Sequence, residues 1–195
     1  RGLVRAQIEH FHKVVDARGF DLAIIQGIPY YYRQFGYAYA IDHTPLTQLP
    51  TWQIPAPAPQ SASAIQTRPA TGADIPTLTS LYAAAMAQHQ LTVTRDEAMW
   101  HYLLQHKAHP TRLIEEPKTG QPLGYLVVTG GGTPLRLYEQ FVLDEPVGLA
   151  LLQQLKGEAQ GELHLSGPPS DRLVALAHTF GGQTLPVSDQ WLWRI

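Results

Sequence analysis

The order helix, glycine, strand, helix, Phe-Gly, strand occurs twice in this chain, and a repeat of that kind constrains the architecture before composition does. The first run has Gly19 ahead of "DLAIIQG" and reaches Phe35-Gly36; the second has Gly161 ahead of "ELHLSG" and reaches Phe180-Gly181. Two copies of one order predict two related units. Between them lies "PAPAPQSAS", Pro55 to Ser63, where alternating proline and small residues bury little and form an extended spacer. Residues 1–54 carry only the back half of the repeated order, whereas 64–195 carry all of it. The text opens abruptly on "RGLVRAQIEHFHKVV", without methionine, which predicts a piece of a longer chain.

The local signals are specific enough to place elements. Val4, Ile8, Phe11 and Val15 recur at helical spacing, and Gly19 stands where a left-handed cap ends such a helix. "DLAIIQG" reads as a buried strand, and Pro29 opens a predicted helix that runs through Tyr30, Tyr31 and Tyr32 to Gly36. "YAYAIDH" and "LTQLPTWQI" read as two further strands of the first unit. In the second unit "AIQTRPA" is a strand. Helices follow from a Thr71/Asp74 capping pattern and from a Thr94/Glu97 pattern, with Ile75, Leu78, Tyr82, Ala85, Trp100, Leu103 and Leu104 facing inward. A three-strand meander turns at "PKTGQ" and at Gly130 to Gly132. A helix opened by Pro146, a strand, a helix ending before Gly181 and the terminal strand "QWLWRI" complete the order β-α-α-β-β-β-α-β-α-β. The fold class is α/β with a mixed sheet.

Composition narrows the function. A hydrophobic content of 44% supports a real core, and a net charge of -2 gives no general attraction to nucleic acid or to an anionic membrane. The absence of cysteine excludes disulfides, thiolate nucleophiles and cysteine zinc sites. No apolar run is long enough to span a bilayer, and the reading is a cytoplasmic protein. No metal is expected: His10 and His12 are two apart on a helix, on diverging faces, and His101, His106 and His109 lack ligand spacing. Ser170, Asp171 and His178 lack the surround of a nucleophile elbow. Glu115 and Glu116 are neighbours on a strand and face opposite ways.

The element order, with "YYRQFGY", resembles the GCN5-related N-acetyltransferases, whose motif is Tyr, three residues, Gly and an aromatic. "RGLVRAQIEHFHKVVDARGFDLAIIQGIPYYYRQFGYAYAID" is similar to the back half of the catalytic domain in tandem members of the enhanced-intracellular-survival type. "TRPATGADIPTLTSLY" is similar to the opening of a second such domain. The resemblance implies transfer of an acetyl group from acetyl-CoA to an amine, with no metal and no acyl-enzyme. A peptide, aminoglycoside, polyamine or small metabolite could be the acceptor, and related tandem proteins often assemble into oligomers.

It also implies a site. The family holds the coenzyme pyrophosphate where an Arg/Gln-x-x-Gly-x-Gly/Ala loop enters a helix, because the free amides and partial positive charge of a helix start suit phosphate. Gly2 matches the motif glycine, Val4 stands where Gly or Ala is usual, and the implied binding stretch is Arg1, Gly2, Leu3, Val4 and Arg5. Taken without the family, the same stretch is an ordinary amphipathic helix. Gly27 and Ile28, at the strand end, fall beside the pantetheine arm. Tyr32, four residues before Gly36, falls where the family keeps its general acid; phenols are protonated at neutral pH and can donate without tuning. Its alternative reading is one more packed aromatic, as for Tyr37 and Tyr39. The second unit offers "VLDEPVGL" at its helix start and Ala177 at the tyrosine position, so it reads as a degenerate, non-catalytic copy. A binding or interaction module that keeps the architecture without turnover is the alternative function.

Overall fold

The computed structural model describes residues 2–28, 30–57, 64–87, 89–106, 109–129, 134–187 and 190–195. Arg1, Pro29, most of the proline-rich spacer and the glycine turn at 130–132 lie outside the described residues. In chain order the elements begin with helix α1 (Leu3–Ala17) and strands β1 (Ala23–Gln26), β2 (Ala38–Asp42), β3 (Leu46–Pro50) and β4 (Gln66–Pro69). Helices α2 (Ile75–Met86) and α3 (Glu97–Leu104) follow, then strands β5 (Thr111–Glu115), β6 (Pro122–Val128) and β7 (Leu135–Val142). Helix α4 (Glu145–Glu158), β8 (Glu162–Ser166), helix α5 (Arg172–Thr179), β9 (Gln183–Thr184) and β10 (Gln190–Arg194) close the series.

These elements form two compact units that do not coincide with the boundaries at 54 and 64. One unit is Arg1–Pro45 with Pro186–Ile195; the other is Leu46–Leu185. The difference lies in two strands. β3, read as part of the first unit, runs antiparallel between β8 and β9 in the second unit's sheet. β10, read as the second unit's last strand, runs antiparallel between β1 and β2 in the first. Alternation of apolar residues reports that a segment is a strand and which face it buries, but not the strand it will pair with.

The first unit is a three-stranded sheet, β1-β10-β2, with α1. Gly19, at φ +69°, ends α1 in the expected left-handed cap, and the Phe20 amide returns to the Val15 carbonyl at 3.2 Å. Its core is Val15, Ala23, Tyr37 and Leu192, with Ile25, Tyr32, Phe35 and Tyr39 packed against it. Of α1 only Val15 is buried. β1 is not the fully buried strand its isoleucines predict: Ile24 is half exposed, because Ala23 and Ile25 point to the core and Ile24 to the opposite face.

The second unit is a seven-stranded sheet in the order β4-β5-β6-β7-β8-β3-β9, antiparallel except for the parallel pair β7–β8. Neighbouring residues on its strands feed opposite faces. Ile114 and Leu126 join the large core with α4 and α5, while Leu113 and Tyr125 join Ile75, Leu78, Leu81 and Trp100 of α2 and α3. The Thr71/Asp74 capping box forms, through a short 3-10 turn that leads into α2. Helix α3 starts differently from its predicted Thr94 cap: the Asp96 carboxylate accepts from the Met99 amide at 2.7 Å. Glu115 is buried and paired with Arg68, whereas half-buried Glu116 accepts from the amides of Lys118 and Thr119, as their opposed directions predict.

Candidate functional site

Gly2 adopts φ +99° at the head of α1, a left-handed conformation that glycine takes without strain. It has no side chain to cap the helix, and the first turn holds no acidic residue. The helix mouth therefore keeps its partial positive charge and its open amides. A cavity of about 360 Å³ adjoins it, lined by Gly2, Leu3, Val4 and Arg5 on one side and by Tyr31, Gln34 and Phe35 on the other. Arg5 reaches across: its guanidinium donates to Gln34 Oε1 at 2.8 Å and lies 5.0 Å above the Phe35 ring. Leu3 and Val4 are exposed at this mouth.

The tyrosine-rich segment is not the α-helix its spacing predicts. Tyr30 has φ +65°, the one positive value at a non-glycine among the described residues, and its amide donates to the Tyr39 hydroxyl at 2.6 Å. A left-handed residue cannot continue an α-helix, and a 3-10 turn over Tyr31–Phe35 replaces it, closed by Gly36 at φ +85°. The turn serves two neighbourhoods at once. Tyr31, Gln34 and Phe35 wall the cavity at the mouth of α1, while the Tyr32 ring lies against the backbone of Gly27, in the space a Cβ there would occupy. Tyr32 is half-buried, with its ring centroid 5.1 Å from that of Tyr31 and 6.3 Å from that of Tyr37. Ile28 is exposed. The turn thus meets the mouth of α1 through Tyr31, Gln34 and Phe35, and Gly27 through Tyr32.

No family model and no curated protein matches the chain. Solved structures do match it. A GCN5-related N-acetyltransferase from Anabaena variabilis is similar over 100% of this chain and 50% of its own, at TM-score 0.72 and 19% identity. A probable N-acyltransferase from Enterococcus faecalis is similar over 100% and 50%, at TM-score 0.74 and 17% identity. Eis1 from Mycobacterium abscessus is similar over 100% and 52%, at TM-score 0.58 and 16% identity. The chain has the GCN5-related N-acetyltransferase fold. It spans about half the length of these structures.

The start of helix α4 in the second unit differs from that of α1. The Asp144 carboxylate occupies the mouth of α4, accepting from the Val147 amide at 2.9 Å. Past the last parallel pair, Leu137–Leu165, Gln140 Nε2 ties β7 to β8 through the Ser166 carbonyl at 2.8 Å. The Arg172 guanidinium covers the carbonyls of Val142, at 2.7 Å, and Leu143. Ala177 is fully buried. Asp171 caps α5 through the amides of Leu173 and Val174, and burial raises its pKa. His178 instead joins the Gly182 carbonyl and the Thr184 hydroxyl, so Ser170, Asp171 and His178 form no triad. Among the described residues no group of three His, Asp or Glu side chains is placed to hold a metal ion, and no helix is long and apolar enough to cross a membrane.

Two features of the first unit had no sequence signal. Gln34 and Phe35 meet Arg5 across about thirty residues of chain, a contact that no periodicity encodes. Tyr37 packs in the core as expected, but its hydroxyl also meets His12 Nε2 at 3.2 Å across 25 residues of chain. Burial, then Arg194, lowers the His12 pKa against the opposing pull of Asp16 and Glu9. Burial raises that of Tyr37.

Proposed function

We propose that the protein carrying this chain transfers an acetyl group from acetyl-CoA to an amine by direct attack. The first unit is then the back half of the catalytic domain, and the second is a non-catalytic copy. The observation that carries this reading is the contrast between the two helix mouths: open and glycine-led at α1, filled by its own carboxylate at α4.

In this reading the coenzyme pyrophosphate rests on the amides of Gly2, Leu3, Val4 and Arg5, with Arg5 adding charge. Arg1, outside the described residues, has the same role. The backbone at Gly27 and Ile28 runs beside the pantetheine arm. The amine nitrogen attacks the thioester carbonyl carbon, the C–S bond breaks as C–N forms, and the Tyr32 hydroxyl gives its proton to the departing sulfur. A general base takes the amine proton and hydrogen-bond donors hold the carbonyl oxygen; neither role is assigned to a residue of this chain. The packing of Tyr32 on Gly27, next to the implied pantetheine path, supports the assignment.

The test is acetyl-CoA titration together with thiol release for the parent protein and Tyr32→Phe. The expected result is retained coenzyme binding with thiol release lowered about 10²- to 10⁴-fold. Unchanged thiol release in the variant removes Tyr32 from the chemistry. Coenzyme binding without any thiol release, across a mass-spectrometric screen of peptide, aminoglycoside, polyamine and metabolite acceptors, favours the second reading, a binding module. That reading has its support in Val4 and in the α4 helix mouth of the second unit, filled by the Asp144 carboxylate.

A further inference from the structure

His12 and Tyr37 meet where three parts of the first unit converge: α1, the 3-10 turn that holds Tyr32, and β10. Tyr37 follows Gly36, the residue that closes the turn. It touches Tyr32 twice. Its amide donates to the Tyr32 carbonyl at 3.4 Å, and its ring meets the Tyr32 ring edge-on, with centroids 6.3 Å apart. On the other side Tyr37 Oη lies 3.2 Å from His12 Nε2, and the two ring centroids are 5.5 Å apart. His12 thus reaches Tyr32 through a single residue.

The proton in this contact has a preferred place. Tyr37 is 3% exposed, and His12 is the partner its hydroxyl has among the described residues. A neutral imidazole with its proton on Nδ1 accepts from the phenol at Nε2, whereas an imidazolium has two N–H donors and no acceptor. Protonation of His12 therefore turns the contact round and leaves the Tyr37 O–H in the core without an acceptor, which is costly.

Charges face His12 from two elements. From β10, Arg194 pairs with Asp16 at 3.3 Å, and its side chain passes 3.9 Å from where a Cβ at Gly36 would stand. From α1 itself come Glu9 and Asp16, and Asp16 has its cation in Arg194. The turn presents the phenols of Tyr37 and, behind it, Tyr32. Burial and Arg194 outweigh the two carboxylates and lower the His12 pKa, so the neutral, accepting form is the one that packs.

We propose that His12, acting through Tyr37, is a positioning residue for Tyr32 and a pH-dependent latch on it: neutral His12 holds the turn against α1, and protonated His12 releases it. Its bearing on catalysis rests on the role proposed above for Tyr32. The latch is complete above the ordinary histidine value, about pH 6.5, and opens as pH falls through the lower folded-state value.

The test uses the whole protein and follows the ring resonances of His12 and Tyr32, assigned by their loss in His12→Gln and Tyr32→Phe, as pH falls from about 8 to about 5. The Tyr32 ring is expected to shift with the His12 midpoint in the parent, and not in H12Q or in Tyr37→Phe. Y37F keeps the ring and removes the donor, so the His12 midpoint is expected to rise by about half a unit to one unit. Thiol release links the latch to the reaction. The ratio of parent to H12Q is expected to fall about tenfold between about pH 7.5 and about one unit below the midpoint. Tyr32 resonances that do not follow the His12 midpoint, or that still follow it in Y37F, overturn the latch. So does a midpoint that Y37F lowers or leaves in place. A flat ratio beside shifting resonances overturns the positioning role. A parent without thiol release removes the reaction proposed above, and the resonances then decide the latch alone.

Discussion

Gly27 has no side chain, and the Tyr32 ring occupies the volume a Cβ would take, so alanine at 27 must displace either the strand end or the phenol. Gly27→Ala is expected to cost about 1–3 kcal/mol, read as a lowered urea midpoint, and to reduce thiol release beyond the loss of folded protein. Asp144→Ala removes the cap of α4 and is expected to cost about 1 kcal/mol with an unchanged urea slope. Acid sensitivity has a named source in Asp74. Hydrogen bonds from Arg68 first, then from Thr71, hold its carboxyl below the usual carboxylate range. A folded-state pKa below the unfolded one gives stability that is present above about pH 4 and is lost as pH falls through that value toward the folded one. Asp74→Asn is therefore expected to flatten the fall in urea midpoint below about pH 4, measured against the parent. At this scale the Thr71/Asp74 cap was legible, because the two interact three residues apart, whereas the cap of α3 is Asp96 and not Thr94. The meeting of Tyr32 with Gly27 was not, because it depends on the left-handed Tyr30 that no periodicity encodes.

The elements themselves were largely legible from apolar spacing and turn residues; the two-residue β9 and the 3-10 turn were not. A two-residue strand has no period to detect, and a 3-10 turn mimics the first turn of a helix. Strand partners were the larger loss. β10 supplies the middle of the β1-β10-β2 sheet, and Leu192 is fully buried in its core. Removing Gln190–Ile195 is expected to leave β1 and β2 without a common partner and to unfold the first unit while β4 to β9 keep their amide protection. Hydrogen exchange with peptide resolution checks this. Loss of protection throughout β5–β8 would contradict the assignment of β10 to the first unit alone.

On the scale of the whole chain, the two units differ sharply in how much they bury. The first has a core of four buried residues, while the second fills both faces of a seven-stranded sheet. Stability tracks buried apolar surface, so α1 and β1 are expected to exchange their amides well before β5–β7 in the intact chain. Each sheet takes a strand from across the spacer: β3 precedes it yet lies beside β8, and β10 follows it yet lies beside β1. A backbone cut engineered after Pro57 would consequently yield two polypeptides, neither carrying a finished sheet. The pair should elute as a single species until denaturant is added, as mass measurement under native and unfolding conditions would register.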